Sequence, residues 1–299
     1  MGEQMLGNDD AGVWVVGIDG SANAEHALAW AASHAEGRAS CLRLVSAWQA
    51  PLSGPAVETW PMGSPAYDRD VLIESAQRLV DEAAAKARPN TDVGLQATIA
   101  HGGAAAVLLD ASDKASLLVV GTRGRGGFQR LLLGSTSTQC ATHVSRPIAV
   151  IPEQSEVTET RDIVVGVDGS PNSIAALSWA LTFATPDTRV EALSVWDTSP
   201  LAAGADQFFF PEATGLAEER FHHIVDDVEA NAAQDHVIER TFVTGMPRQT
   251  IAERAESTDL LVVGTRGHGA ISAAVIGSVS TWLLHHVPQA MVIVPSPAE

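Results

Sequence analysis

The chain has 299 residues, with 36 Asp and Glu against 18 Lys and Arg, for a formal net charge of −18. Apolar residues make up 45% and charged residues 18%, so the chain can bury a sizeable core and is not disordered. The acidic balance argues against a general nucleic-acid binder, which needs a basic footprint, and against docking on anionic membranes.

The first predicted strand is the apolar run Gly12–Ile18, continuous as in a strand buried on both faces. Ser21 is a candidate N-cap for an Ala-rich helix running to about Glu36. A second strand follows at Leu42–Ser46, a helix at Asp68–Ala87 that ends before Pro89, and a third strand at Val93–Ala100. Then come a short helix at Ala104–Ser112, a strand at Leu117–Val120, a helix at Ser135–Val144 and a strand at Pro147–Ile151. The order then repeats: Ile163–Val167, Ile174–Phe183, Val190–Val195, Ala213–Ala233, Val237–Val243, Arg248–Ala255, Leu260–Val263, Val279–Val287 and Ala290–Val294. Short apolar strands alternating with helices predict an α/β fold with parallel strands, helices on both faces and right-handed crossovers.

The repeat is also literal. Val15–Ser21 reads VVGIDGS and Val164–Ser170 reads VVGVDGS; Leu118–Gly124 and Leu261–Gly267 are both LVVGTRG. A period near half the chain means duplicated domains. The polar, acidic stretch Pro152–Thr160 is the expected linker, which gives domains at 10–152 and 161–296.

The glycine-rich segments lie at the carboxyl ends of strands, where open α/β sheets bind ligands. Gly121 and Gly124 are followed by nine residues and then Gly134-Ser135; Gly264 and Gly267 by nine residues and then Gly277-Ser278. Without a Cβ, Gly121 and Gly124 would let the backbone approach a sugar or phosphate. Gly134 and Ser135 open a helix whose first amides, with the hydroxyl and the dipole, form an anion site that needs no lysine. The two lysines, Lys86 and Lys114, do not follow a glycine, so there is no Walker A loop. The dinucleotide fingerprint is also missing, since GIDGS lacks its third glycine. Arg123 and Arg266 are phosphate ligands or plain surface charges, as is Arg125, which His268 replaces in the second copy.

On these motifs the sequence resembles the universal stress protein family over nearly its whole length, as two tandem copies. Its ATP-binding subgroup carries the G-2x-G-9x-G(S/T) pattern found at Gly121–Ser135 and Gly264–Ser278, and an Asp matching Asp19 and Asp168. The resemblance implies two Rossmann-like domains (adenine nucleotide α-hydrolase-like), each a five-stranded parallel sheet of order 3-2-1-4-5. It implies ATP, with Mg²⁺ bridging the phosphates, held by one site per domain. In the first, Asp19 and Val45 would flank ribose and adenine. Val120, Gly121 and Gly124 would lie near ribose and phosphates, and Gly134, Ser135, Thr136 and Ser137 would hold the triphosphate. The second copy offers Asp168, Val195, Val263, Gly264, Gly267, Gly277, Ser278, Val279 and Ser280. Val279 replaces Thr136, a small change if the backbone amide is what binds. The resemblance also implies a stress or growth-regulating binding role.

Two other functions stay open at this point: a slow ATPase of the same wider group, and a dimerisation scaffold without nucleotide. The pyrophosphatase loop S-G-G-x-D-S of that wider group follows neither first strand, and no general base stands near the Gly-Ser loops. The family's habit of pairing last strands implies that Pro147–Ile151 and Ala290–Val294 pair within one chain, with a homodimer of such chains an open alternative.

Cys41 and Cys140 form neither a disulfide framework nor a zinc pattern. Met1–Asp10 is unlike a signal peptide and no apolar run reaches membrane length, so a soluble cytoplasmic protein is expected. The pairs His222-His223 and His285-His286 point about 100° apart on a helix and do not make a two-ligand face. Trp30 and Trp179 match across the repeats and are expected in core helices. Trp48–Tyr67 and Asp197–Pro211, the latter with Phe208, Phe209 and Phe210, are candidate lids or partner-contact loops.

Overall fold

The computed structural model describes residues 12–49, 69–124, 133–157, 159–197, 210–233, 236–267 and 276–296. Arg125, His268 and nearly all of the two loops at 48–67 and 197–211 lie outside these residues. The chain divides into two compact units, Met1–Cys140 and Ala141–Glu299.

In the first unit, strands β1 (Val13–Gly17), β2 (Cys41–Trp48), β3 (Gly94–His101) and β4 (Leu117–Gly121) stand in the order β3-β2-β1-β4, all parallel. Helices α1 (Ala22–His34), α2 (Arg69–Ala87) and α3 (Ala104–Ser112) alternate with them, and α4 (Ser135–His143) follows. β1 and β4 are apolar and almost wholly buried, because helices cover both faces of a parallel sheet. β3 stands at the margin of the sheet, and its residues are half-buried or exposed.

The second unit starts with β5 (Ile148–Ile151) and then repeats the plan with β6 (Asp162–Gly166), α5 (Pro171–Phe183), β7 (Arg189–Asp197), α6 (Phe210–Ala230), β8 (Ile238–Gly245), α7 (Pro247–Ala255), β9 (Leu260–Gly264), α8 (Ser278–His286) and β10 (Ala290–Val294). The order β10-β9-β6-β7-β8 is the expected 3-2-1-4-5 read from the other edge. β5 lies beyond β10 and pairs with it antiparallel, Val150 opposite Met291 and Ala149 opposite Val292. By compactness the first unit ends at Cys140, ahead of the acidic stretch at 152–160.

Trp30 is fully buried and stacks on His34 at 4.5 Å. Its counterpart Trp179 is only half-buried and stacks on Phe183 at 5.0 Å, so the expectation of two core tryptophans holds for the first alone. Two buried charges occupy the same register position opposite β1 and β6. Arg43 donates to Gln96, and Glu191 accepts from Arg254 Nε at 2.7 Å.

No helix among the described residues is long and apolar enough to cross a membrane. No cluster of His, Cys, Asp and Glu among them is arranged to hold a metal ion.

Both cysteines are buried free thiols, and burial pushes the Cys140 thiol up to about 12 from an ordinary 9.0. The folded state then keeps a proton that the unfolded chain releases, so this contribution to stability is present below pH 9.0 and is lost as pH rises toward about 12. Urea melts should show that loss reduced in Cys140→Ala. A thiol reagent at neutral pH should label Cys140 only after denaturation.

Candidate functional site

The site in the first unit begins at the carboxyl end of β1. Asp19 and Gly20 leave the strand, and Gly20 turns the chain at φ 76°, a left-handed conformation suited to glycine. Ser21 then caps α1: its Oγ accepts from the Ala24 N–H at 3.2 Å. The same hydroxyl donates to Asp19 Oδ1 at 2.6 Å and approaches the Arg123 carbonyl at 3.4 Å. The Ser21 N–H also donates to Asp19 Oδ1, at 3.0 Å. One side chain thus ties the end of β1, the start of α1 and the loop after β4.

A second tie is buried beneath it. Thr122 Oγ1 donates to Asn23 Oδ1 at 2.9 Å. This packs the first turn of α1 against Gly121 so closely that a Cβ there would stand 2.7 Å from the Asn23 carbonyl oxygen. A Cβ on Gly124 would run into the Asp19 carboxylate. The two glycines read from sequence as room for a ligand are therefore required first by the protein's own atoms.

The loop closes onto α4. The Gly134 N–H donates to the Thr122 carbonyl at 2.6 Å, so that amide is already engaged. The Ser137 hydroxyl, expected on the triphosphate, is buried and donates to the carbonyls of Thr122 (2.9 Å) and Gly134 (3.1 Å). The first intrahelical bond runs from the Thr138 N–H to the Gly134 carbonyl. The amides of Ser135, Thr136 and Ser137 precede it and form the positive end of the helix.

These elements enclose a cavity of about 570 Å³, within the range of about 300–1,000 Å³ usual for small-molecule sites. All ten residues expected in the first domain line it: Asp19, Val45, Val120, Gly121, Arg123, Gly124, Gly134, Ser135, Thr136 and Ser137. Ala47, Ala104 and Leu108 extend its apolar wall and were not anticipated. The buried Nε of Arg123 has no hydrogen-bond partner among the described residues, a donor available to a ligand.

The second unit rebuilds the frame. The Ser170 N–H donates to Asp168 Oδ1 at 3.0 Å, and the Ser170 hydroxyl donates to the Arg266 carbonyl at 3.1 Å. Gly169 turns at φ 83°. Asn172 Nδ2 donates to Thr265 Oγ1 at 2.7 Å and packs the backbone against Gly264, and a Cβ on Gly267 would meet the Asp168 carboxylate. The Gly277 N–H donates to the Thr265 carbonyl at 2.6 Å, and the buried Ser280 hydroxyl donates to the Gly264 carbonyl at 2.8 Å. Ser278 and Val279 begin α8, and Val263 is buried in β9 next to Gly264.

One expected equivalence shifts. β1 pairs Gly17 with Val45, whereas β6 pairs Gly166 with Leu193. Leu193 therefore holds the position of Val45, and Val195 that of Ala47. The shared Ser-x-Trp in Ser46–Trp48 and Ser194–Trp196 marks this register in the sequence itself.

Parallel strands alternating with helices in this order define a Rossmann-like domain, present here as two copies. The profile of the universal stress protein family matches residues 14–152 and again 159–295, and the chain belongs to that family. It is 32% identical over 292 residues to universal stress protein Rv2623 of Mycobacterium tuberculosis, covering 91% of this chain and 92% of that one. It is 30% identical over 293 residues to a universal stress protein of Mycolicibacterium smegmatis, covering 89% and 91%. The fold matches the crystal structure of a universal stress protein from Archaeoglobus fulgidus with a TM-score of 0.68 at 17% identity, covering 95% of this chain and 96% of that one.

Gly121→Ala and Gly264→Ala should each cost about 2 kcal/mol of stability, because backbone rather than a flexible side-chain end blocks the new methyl. Urea denaturation would measure it. Gly37→Ala is no fair control, since Gly37 sits at φ 72°, whereas Gly215→Ala meets nothing within 4 Å and should be near neutral or better.

Proposed function

We propose that the chain is an ATP-binding regulatory module with one nucleotide site in each repeat, Mg²⁺ entering with the phosphates. The observation that carries this reading is the polarity of the first cavity. One end offers the amides of Ser135, Thr136 and Ser137 together with Arg123, whose Nε lacks a partner among the described residues; the wall at β1 carries a carboxylate, Asp19; and Val45, Ala47, Leu108 and Val120 are apolar. A polyanion with a neutral, flat base and hydroxyl donors between them fits such a gradient.

In this reading the α4 amides and Arg123 hold phosphate oxygens. Asp19, an acceptor fixed by Ser21, takes the ribose hydroxyls. Val45 and Val120 take the faces of the base. Asp168, Val263, Gly264, Arg266, Gly267, Gly277, Ser278, Val279 and Ser280 do the same work in the second repeat. The bound Mg²⁺, a hard cation satisfied by phosphate oxygens and water, needs no side-chain cage. Binding would brace the loops after β4 and β9 and change the surface they present, which suits a stress or growth regulator acting in the cytoplasm, where ATP is at hand. The net charge of −18 fits small-molecule rather than nucleic-acid partners.

Adenine nucleotide should co-purify with the protein and be identified by mass spectrometry. Calorimetry with Mg-ATP should then show uptake, weakened about tenfold or more by Asp19→Ala with Asp168→Ala through loss of a charged acceptor. Well-folded protein that takes up no adenosine phosphate in the presence of magnesium would end this reading.

A further inference from the structure

We infer that the two repeats are unequal nucleotide sites, the second keeping its phosphate-facing groups but closed down at the end where the base sits. This deepens the ATP reading and rests on it. The equivalences follow from the helix caps, from strand register and from the first residues of two helices. Ala24 stands three residues after the cap Ser21, and Ser173 three after the cap Ser170. Val45 and Ala47 correspond to Leu193 and Val195. Ala104 opens α3 and Pro247 opens α7.

All four first-repeat residues line the cavity, and each is replaced by a larger one. Ala24→Ser and Val45→Leu each add one heavy atom; Ala47→Val and Ala104→Pro each add two. On the other side Ile18 becomes Val167, one carbon smaller, while Leu108, Leu133 and Thr136 become Ile251, Ile276 and Val279 with no change in heavy-atom count. The groups facing the phosphates are identical in type: Gly264, Arg266, Gly267, Gly277, Ser278 and Ser280.

Hydrogen bonding points the same way, independently of size. Ser173 Oγ accepts from the N–H of Asp168 (3.3 Å) and of Gly169 (3.1 Å), and donates to the Ser170 carbonyl (3.0 Å). Ala24 has no such acceptor. Pro247 removes the N–H that Ala104 carries at the start of α3. The second repeat has therefore lost room around the carboxyl ends of its first three strands, and a backbone donor at the start of the helix after the third. An apolar pocket discriminates by about tenfold or more per methylene, and here several are added on one wall.

The test is calorimetry on the full chain, with Mg-ATP and with inorganic tripolyphosphate as a probe that has no base. Two classes of ATP site separated by about tenfold or more are expected, with tripolyphosphate binding both alike. The triple variant Ser173→Ala, Leu193→Val, Val195→Ala should raise the weaker ATP class toward the tighter one. Ala47→Val in the first repeat should lower the tighter class. Two equal ATP classes in the unmodified chain would overturn the inference and leave the nucleotide reading standing, as would a triple variant that folds normally and moves neither class. Absence of ATP uptake throughout would overturn both.

Discussion

The structure turns on one hydroxyl per repeat. Ser21 and Ser170 each cap a helix, each lie against the aspartate that leaves the first strand, and each reach the backbone of the loop after the fourth strand. A strand end, the helix that follows it and a loop about a hundred residues further on meet there. An N-cap alone contributes about 1 kcal/mol. This one also sets the direction of a carboxylate and the path of a loop, so the same bond that starts the helix shapes the wall of the cavity.

Around that point, space is rationed by backbone. The Asn23–Thr122 and Asn172–Thr265 pairs draw the first turn of the helix down onto Gly121 and Gly264, and no side chain fits between. The carbonyls of Thr122 and Thr265, next to those glycines, then fasten the amides of Gly134 and Gly277. The next three amides of the helix stand at the edge of a frame built from the protein's own atoms. Such preorganisation lowers the entropic cost of gripping an anion.

Much of this was legible in the residues. Duplicated VVG-x-DGS and LVVGTRG segments locate two strand ends per repeat, and the apolar runs between polar stretches yield the alternating α/β order. All ten expected residues of the first site meet in one cavity because strand-end motifs in a parallel sheet converge on the same edge. The purpose of the glycines was not legible. A missing Cβ says that something comes close, not whether it is a ligand or Asn23. Asn23 and Asn172 carry no signal in the sequence, since a lone Asn in the first turn of a helix forms no pattern. The fourth-strand landmarks also could not fix the second strand, because the connection between α1 and β2 is one residue longer than that between α5 and β7; only the shared Ser-x-Trp keeps that register.

The charge of the chain sets a final constraint on how such a site can work. A polyphosphate approaching a protein of net charge −18 is repelled at long range, although salt confines that repulsion to about 8 Å at physiological ionic strength. Attraction must therefore be local, and a lysine on a flexible stem is one way to supply it. In the proposed reading these repeats use fixed donors instead: helix amides, which cannot titrate or swing away, and an arginine beside the glycine of the same loop. In the second repeat Ser173 accepts from the Asp168 and Gly169 amides and Pro247 stands where Ala104 does, while the loop motif stays intact. Two identical motifs can thus frame chemically different sites, because the motif fixes only the phosphate end, and the far wall is free to change with the strand and helix that build it.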